Sequence, residues 1–525
     1  ETATSASKWR FARLGSSCVA LTFHFFLPVA KMFAIWIMPY PGEDNQTDSH
    51  GGKSMSTMTG QEQNSGWKKW LLVLLVLGIG ARCFRYFLQF PIWGDESFIA
   101  LNILDKDYVQ LTQGLRFTQV SPILFLWIEK TAFLLLGGSE LALRLFPLLA
   151  GIGALFVFCS LARRFDDKRA TVLAIGLLAV SYFPLRHACE VKPYSFDLLF
   201  STGFLTLGWA WISQPSKTRY LWGLVIYAPI AILSSFPSAF VAGAVSLTML
   251  PTVWKARSTK VWILFLAFHL LLGVSFIGHF LAIGVEQHRA MGGDINGDWA
   301  KWFAPLHIWK LPLFLMAYPI GGGEYRSIFT FLLCILGAVS LWRSGQKRLL
   351  ALVTLPFLMT LIGSMMKKYP YGGHARVAQH LAPSICILLA YGIIFSIHSL
   401  FSVEATRRKC VKAWLTICLL IVVGQLTRDI VRPHKSKGSL RCRVMAREAT
   451  RKAQGEPIVV LTPRSLTYPV IEWYLRHDGQ PVIWSDAEEL KKLKAPSRFY
   501  TVQFSTNTRA RARLPEQISV PSSQF

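Results

Sequence analysis

The sequence is poor in charge and poorer still in acids. Charged residues make up 16% of its 525 residues, and 29 acids face 56 basic residues. A soluble globular domain carries about 25% charged residues. Hydrophobic residues reach 52%, and the mean hydropathy is +0.37. This composition excludes a disordered chain and an ordinary soluble enzyme, and it indicates a polytopic membrane protein.

Cysteine pairs are also absent. The nine cysteines form no C-x-x-C pair, and most lie inside apolar runs. They are interpreted as small buried hydrophobic residues, so neither a disulfide framework nor a zinc module is expected. The formal charge of +27 would suit a nucleic acid, but no basic-aromatic module accompanies it. Nucleic acid is therefore not an expected partner, because surplus Lys and Arg more often mark cytoplasmic loops.

Long apolar runs dominate what is present. A helix needs about 20 apolar residues to cross the hydrocarbon core of a membrane. Eleven runs meet this need, and they are 68–90, 139–163, 169–185, 195–213, 219–234, 237–254, 260–284, 327–342, 348–366, 377–400 and 412–428. The predicted fold is an all-α polytopic membrane protein with about 11 transmembrane helices and a small C-terminal α/β domain outside the membrane.

One apolar run, 120–137, is left out of that count because of the positions of the basic connections elsewhere in the chain. It carries Glu129 and Lys130 near its middle. If it lies in the membrane interface, every short basic connection falls on the cytoplasmic side together with Lys68 and Lys69. If it crosses, the later connections move to the opposite side. We therefore predict a cytoplasmic N-terminus, membrane lipids as partners, and the outer loops 91–138, 185–195, 285–326 and 367–377.

Two regions flank the predicted membrane domain, 67–428. Residues 1–66 are interpreted as a non-native or processed extension with a polar linker, and a weakly held membrane segment at 17–40 is the alternative. Residues 429–525 predict a small extracytoplasmic α/β domain, because runs typical of strands and helices alternate there. Its strands are predicted at 458–461, 481–484 and 499–504, with helices at 465–476 and 486–493.

Two adjacent acids, Asp95 and Glu96, follow the first predicted span directly, behind Trp93 and Gly94. Acids in the first turn of a helix complement the helix dipole, which is a sufficient structural explanation. Their position at the mouth of a transmembrane bundle favours a functional interpretation, because polar groups at membrane depth are costly and usually functional.

The stretch Trp93-Gly94-Asp95-Glu96 resembles the acidic pair after the first span of GT-C glycosyltransferases. The resemblance is in particular to glycosyltransferase family 39, the protein O-mannosyltransferases and aminoarabinose transferases. The segment 138–147, GSELALRLFP, resembles the start of that family's second span, and 163–165 resembles its cytoplasmic exit. The resemblance covers about 68–215 well and 367–400 more loosely.

This resemblance implies an activity and a location. The chain would transfer a monosaccharide from a polyprenyl-phosphate donor to a hydroxyl on a lipid, protein or polysaccharide acceptor. The reaction would take place on the periplasmic face of the bacterial inner membrane. Asp95 would act as the general base of an inverting displacement. Glu96 would support Asp95 or bind the acceptor.

Further site residues follow from the same resemblance. The segment 182–195 would add Glu190 as a second acid, Lys192 as a contact of the donor phosphate, and His187 and Tyr194 as cavity residues. An interfacial turn with anchoring basic residues is the structural alternative.

The donor phosphate would have two more partners in the segment 367–376, namely His374 and Arg376. One departure affects this assignment. Where aminoarabinose transferases carry Glu-Lys-Pro-Pro, residues 119–122 read Gln-Val-Ser-Pro. The lysine is missing here, so phosphate binding falls to Lys192, Arg376 or another basic residue. Gln119 is assigned to the substrate cavity.

No cofactor is expected. His187 and Glu190 stand at H-x-x-E spacing, so a metal site is the alternative, but Pro184 and Pro193 bracket the segment and no third ligand is nearby. Two other functions stay open: a lipid-linked oligosaccharide ligase or polymerase, and a transporter or flippase for lipid-linked glycans. A transporter would show repeated halves and broken mid-membrane helices, and the sequence shows neither.

Overall fold

The structure is a computed structural model. It describes residues 56–290, 324–371, 375–461, 469–477, 482–485, 500–504 and 515–519. Most of the predicted N-terminal extension lies outside these residues, as do most of the third outer loop, His374 and the predicted helix 486–493.

Each predicted span corresponds to a helix in the described residues. They are α1 Ser56–Phe87, α4 Glu140–Ala162, α5 Lys168–Val180, α7 Tyr194–Ser213, α8 Arg219–Ser234, α9 Ser238–Ala256, α10 Thr259–His279, α12 Glu324–Arg343, α13 Lys347–Met365, α14 Ala382–Leu400 and α15 Glu404–Val431. The shorter helices are α2 Gly94–Asp105, α3 Ile123–Leu136, α6 Tyr182–His187 and α11 Val285–Ala290. Helix α6 begins inside the predicted span 169–185, because α5 ends at Val180. By length and composition, seven of the described helices are apolar and long enough to cross a membrane.

Helix α3 is the run that the sequence assigns to an outer loop. Its 14 residues extend about 21 Å, which is shorter than the ~30 Å hydrocarbon core. Just before it, the backbone of Ser121 exchanges two hydrogen bonds with the Gln287 side chain, at 3.0 and 3.1 Å. Just after it, Glu140 accepts a hydrogen bond from Tyr474. Both ends of α3 therefore contact segments that are predicted to lie outside the membrane.

The predicted outer loops meet at one end of the bundle. Asp95 in the first loop contacts Lys192 in the second and Arg376 in the fourth, and Gln287 joins the third loop to the first. Two predicted cytoplasmic connections also meet, because Arg169 pairs with Glu404. Loops that are predicted to lie on the same side of the membrane are thus close together in the structure. A chain whose successive helices cross the membrane in alternating directions requires this arrangement.

Helices α12 and α14 approach each other closely at two glycines. A Cβ added at Gly337 would collide with the carbonyl oxygen of Leu388, and one added at Gly392 would collide with that of Leu333. Small residues at a helix interface let two backbones pack at this distance in a membrane. Backbone carbonyls have little freedom to move aside, so these positions accept no side chain.

We expect Gly392→Ala to lower the thermal unfolding midpoint of the detergent-purified chain. Within a helix, Gly→Ala normally stabilises by about 0.5–1 kcal/mol, whereas overpacking costs about 1–3 kcal/mol, so the sign should reverse here. Gly424→Ala in α15 is the matched control, because a Cβ there has nothing within 4 Å. A midpoint for Gly392→Ala at or above that of Gly424→Ala would contradict this packing.

The C-terminal region combines helices with a small sheet. Helix α16 spans Lys437–Ala453 and α17 spans Pro469–His477. The strands β1 Ile458–Leu461, β2 Val482–Ser485, β3 Tyr500–Phe504 and β4 Pro515–Ser519 form a sheet in the order β2-β1-β3-β4. Strand β1 pairs in parallel with β2 and β3, and β4 is antiparallel to β3. Three of these strands lie where the sequence predicts them, whereas α16 and β4 were not predicted.

This C-terminal region packs against the first outer loop. The hydroxyl of Tyr474 in α17 accepts a hydrogen bond from the backbone N–H of Ile92 at 2.8 Å. Arg443 in α16 donates to the carbonyl of Gln89 at 2.6 Å. Arg116 bridges Asp105 at the end of α2 and Glu472 in α17. The segment that carries Asp95 is therefore held against this region before and after α2.

Candidate active site

Asp95 lies between two cations that come from distant parts of the chain. Its Oδ1 is 3.0 Å from Nζ of Lys192, and Nη1 of Arg376 donates a hydrogen bond to its Oδ2 at 3.0 Å. Asp95 opens α2, Lys192 precedes α7, and Arg376 lies in a short 3-10 helix, Ala375–Leu381, that leads into α14. Three predicted site residues are thus brought together around one carboxylate.

The surroundings of Asp95 keep it ionised. Burial by itself raises the pKa of this carboxyl, but the charges of Lys192 and Arg376 outweigh burial and hold the pKa below its usual range. Burial also lowers the pKa of Lys192, and Asp95 opposes that shift. A carboxylate in this state is a strong hydrogen-bond acceptor but a weak base while both cations hold it.

Glu96 points away from Asp95 and into the protein. Its carboxylate accepts two hydrogen bonds from Arg144 of α4, at 2.9 and 2.7 Å, and one from the backbone N–H of Val191 at 2.8 Å. The residue is only 1% exposed. The predicted contact with the acceptor does not fit this geometry, because its oxygens are already bound to neighbouring groups. The predicted support of Asp95 does fit, since Glu96 ties α2 to α4 and to the loop of Lys192.

Glu190 forms a second charged group beside the first. Its carboxylate accepts hydrogen bonds from Arg186 Nε at 2.9 Å and His187 Nδ1 at 2.7 Å, and Lys435 Nζ lies 3.4 Å away. Burial raises the pKa of Glu190, but His187, Lys435 and Arg186 together hold it well below its ordinary range. Burial lowers the pKa of His187 despite the carboxylate. His187 and Glu190, the two residues of the predicted H-x-x-E pair, therefore bind each other.

The other two predicted cavity residues, Gln119 and Tyr194, adjoin these groups. Gln119 accepts a hydrogen bond from Lys192 Nζ at 2.7 Å, so this residue of the first loop binds a lysine from the second loop. The ring of Tyr194 meets that of His187 edge-on, with centroids 4.8 Å apart. Gln119 therefore borders the Asp95 group through Lys192, and Tyr194 borders the Glu190 group through His187.

Lys435 was not predicted as a site residue. It lies between the last predicted span, α15, and helix α16 of the C-terminal region. Its ammonium group also lies over the ring of Trp93, two positions before Asp95. Small apolar residues at helical spacing, Cys442, Ala446, Ala449 and Ala453, indicate α16, because these four residues form its buried face. That signal locates the basic linker that precedes α16. It does not show that Lys435 in this linker contacts Glu190 and Trp93.

The charges of this cluster do not balance. Lys192, Arg376, Arg186 and Lys435 surround the two carboxylates of Asp95 and Glu190. Burial lowers the pKa of Lys435 to about 7, although Glu190 opposes this shift. The six residues therefore carry a positive surplus of up to two charges near neutral pH. A surplus of this kind favours an anionic ligand.

Two hydrogen-bond donors in the cluster lack an acceptor. Nε1 of Trp93 and Nε of Arg376 are buried and have no partner among the residues that the structure describes. A buried N–H without an acceptor costs about 1–3 kcal/mol. An anion with several oxygens would relieve both donors and the positive surplus together.

His374 lies outside the described residues. Within the described part of the chain, no three His, Cys, Asp or Glu side chains group as metal ligands. Independence from metal stays a prediction.

Comparison with known proteins gives two kinds of match. The family model described as dolichyl-phosphate-mannose-protein mannosyltransferase matches residues 120–278, a range that includes Glu190 and Lys192 but begins after Asp95. No curated protein sequence matches the chain.

Two solved structures share the fold. The crystal structure of ArnT from Cupriavidus metallidurans bound to undecaprenyl phosphate is 13% identical, with a TM-score of 0.55 over 83% of this chain and 93% of that chain. The apo structure of the same protein gives 13% identity and a TM-score of 0.54, over 85% and 94%. The predicted likeness to GT-C glycosyltransferases and the predicted polytopic helical fold are confirmed.

Proposed function

We propose that this chain is a GT-C glycosyltransferase that moves a monosaccharide from a polyprenyl-phosphate donor to an acceptor hydroxyl. The observation that carries the proposal is the ionised Asp95. It lies between Lys192 and Arg376 at the end of the transmembrane bundle where the predicted outer loops meet. The family model and the ArnT fold support the same reaction class. ArnT itself binds undecaprenyl phosphate, a lipid of the class proposed here.

The donor phosphate would replace Asp95 as the partner of the two cations. A phosphodiester is an anion with several acceptor oxygens, and Arg binds such oxygens in pairs. Once Lys192 and Arg376 bind the phosphate, Asp95 loses the charges that lower its pKa. Its basicity then rises at the moment when the donor is in place. Binding of the donor thus activates the base.

The chemical step follows from this exchange. The acceptor hydroxyl gives its proton to Asp95 while its oxygen forms a bond to the anomeric carbon of the sugar. The bond from that carbon to the phosphate oxygen breaks on the opposite side, so the configuration inverts. The departing polyprenyl phosphate gains one negative charge, and the positive surplus around it stabilises that charge.

Removal of either phosphate-binding cation should weaken lipid binding. We expect Lys192→Met and Arg376→Met each to raise the Kd for undecaprenyl phosphate about 10- to 100-fold, because each loses a charge-assisted hydrogen bond of roughly 1.5–3 kcal/mol. Native mass spectrometry of the detergent-purified chain measures the bound lipid. Lys347→Met is the control, because Lys347 begins α13 at the end of the bundle opposite to the predicted outer loops.

The location is part of the proposal. The predicted outer loops would lie on the periplasmic side of the inner membrane, where the acceptor lipid, protein or polysaccharide is found. A transporter or flippase would be expected to place charged groups near the midplane. The charged groups of this cluster instead lie in loops and at helix ends.

One experiment tests the function as a whole. Glycolipids and glycoproteins from a strain that lacks the chain should each be analysed by mass spectrometry. We expect one product to lose the mass of a single sugar and the polyprenyl-phosphate sugar to accumulate. The purified chain should then form that product when it is given the accumulated donor and the unmodified acceptor. Failure of the purified chain to do so would favour a flippase.

A further inference from the structure

We infer that Lys435 is a third binding residue for the phosphate of the lipid carrier, supplied by the segment that joins the last membrane helix to the C-terminal domain. This inference rests on the proposed function. It assigns a role in the site to a residue that no sequence motif marks.

The position of Lys435 is fixed from both sides. The last residues before it continue from α15, where the N–H of His434 donates to the carbonyl of Arg432 at 2.8 Å. The residue after it, Ser436, caps α16 by accepting a hydrogen bond from the N–H of Ser439 at 3.1 Å. Helix α16 is itself bound to the carbonyl of Gln89, just after the end of α1, through Arg443. The ammonium group of Lys435 therefore reaches the site from an anchored backbone.

Of the groups that hold Glu190, Lys435 is the one that can leave most readily. Its 3.4 Å distance to Glu190 is longer than the 2.7 and 2.9 Å contacts of His187 and Arg186. Charged pairs at their best geometry are about 2.7–2.9 Å apart. If Lys435 turns to another anion, Glu190 keeps two close partners. The exchange leaves no buried carboxylate without a hydrogen bond.

The surroundings of Lys435 favour an anion. The charge of Lys435 acts on Asp95 together with those of Lys192 and Arg376, so Lys435 is within electrostatic range of that carboxylate. Trp93, over which Lys435 lies, has a buried indole N–H with no acceptor in the described part of the chain. An oxygen-rich anion beside Asp95 would be within the field of all three cations. It would also offer an acceptor to the indole.

The chemical reason for a third cation lies in the product. Transfer turns a singly charged phosphodiester into a phosphate monoester that carries about −1.5 to −2 charges near neutral pH, as phosphorylated side chains do. Two cations match the donor with Asp95 still ionised nearby. Because Asp95 takes the acceptor's proton, the total charge of the site stays the same after transfer, but the negative charge is then concentrated on the phosphate, where a third cation stabilises it. Lys435 would therefore hold the leaving lipid phosphate more tightly than the donor.

The test compares variants of the full-length chain in detergent. Undecaprenyl phosphate is the probe, and undecaprenol, which has the same tail without phosphate, is its reference. We expect Lys435→Met to weaken binding of the phosphate about tenfold, as the loss of one charge-assisted contact predicts, and to leave undecaprenol binding unchanged. Lys435→Arg should stay within about threefold of the wild type, on the same energy scale. Lys437→Met is the control, because Lys437 is exposed.

A second measurement needs no variant and so does not depend on folding. An amine-acylating reagent should modify Lys435 in the wild-type chain, and undecaprenyl phosphate should slow this modification whereas undecaprenol should not. Lys437 in the same peptide region serves as the internal reference.

The outcomes separate the inference from the proposed function. If Lys192→Met loses phosphate binding while Lys435→Met binds normally and the lipid does not protect Lys435, the inference is wrong and the function stands. If the wild-type chain does not prefer undecaprenyl phosphate to undecaprenol, the proposed function fails first. Loss of phosphate binding in Lys435→Met with recovery in Lys435→Arg supports the inference.

Discussion

The variant Asp95→Asn should lose sugar transfer and keep its lipid. General-base catalysis typically contributes 10²–10⁴-fold to a rate, so we expect kcat to fall by about that factor. Binding of undecaprenyl phosphate should be at least as tight as in the wild-type chain. The physical reason is that Asp95 competes with the phosphate for Lys192 and Arg376. An amide competes poorly for two cations.

The measurement follows the product that a strain lacking the chain fails to make. Each variant is returned to that strain, product is quantified by mass spectrometry, and binding is measured on the purified chain. Asp107→Asn is a matched control, because Asp107 lies in the same loop, is exposed, and caps a turn that Asn caps equally well. Asp95→Glu keeps the charge and should retain part of the transfer.

Two results would count against this assignment. Normal product from Asp95→Asn at normal protein level would exclude Asp95 as the base. A Kd for undecaprenyl phosphate raised tenfold or more would mean that Asp95 helps to bind the lipid rather than competing with it. The combination of lost transfer and retained binding distinguishes a base from a binding residue.

The buried pair of Glu96 and Arg144 should give the largest effect on stability. Arg144→Leu leaves the Glu96 carboxylate buried without its cation, and loss of one partner of a buried pair costs about 3–5 kcal/mol. Both side chains are almost fully buried, at 1% and 3% exposure. We therefore expect a large fall in the unfolding midpoint of the purified chain and a lower yield.

The double variant Glu96→Gln with Arg144→Met tests the reason for that fall. It removes both charges, so stability should recover by most of the lost amount, because a neutral replacement of a buried pair is often tolerated. Transfer should stay impaired, since the two hydrogen bonds from Arg144 that tie α2 to α4 are lost. Equal losses of stability in the single and double variants would show that packing, and not charge, dominates here.

A matched exposed pair provides the comparison. Glu448 and Lys452 lie four residues apart on α16 at 2.9 Å and are both more than 40% exposed. Lys452→Leu should shift stability far less than Arg144→Leu, because exposed pairs contribute only about 0–1 kcal/mol.

Local pattern determined much of this protein. The apolar runs were sufficient to predict the eleven helices, because hydrophobic length is a property of each segment alone. The positions of the basic residues separated α3 from the predicted spans, because its two ends had to lie on one side. Asp95 was found from its place after the first run, and β1 from its short branched stretch between polar turns.

Only the tertiary structure decided which loops meet and what each acid does. Asp95 and Arg376 are 281 residues apart in sequence, and nothing local links them. Glu96 and Asp95 are neighbours in sequence, yet adjacent helical positions point in different directions, so one carboxylate faces two cations of the site and the other faces Arg144. Lys435 reached the site because the linker between α15 and α16 lies beside Trp93 and Glu190. Such contacts depend on how distant helices pack, which residue order along any one helix does not encode.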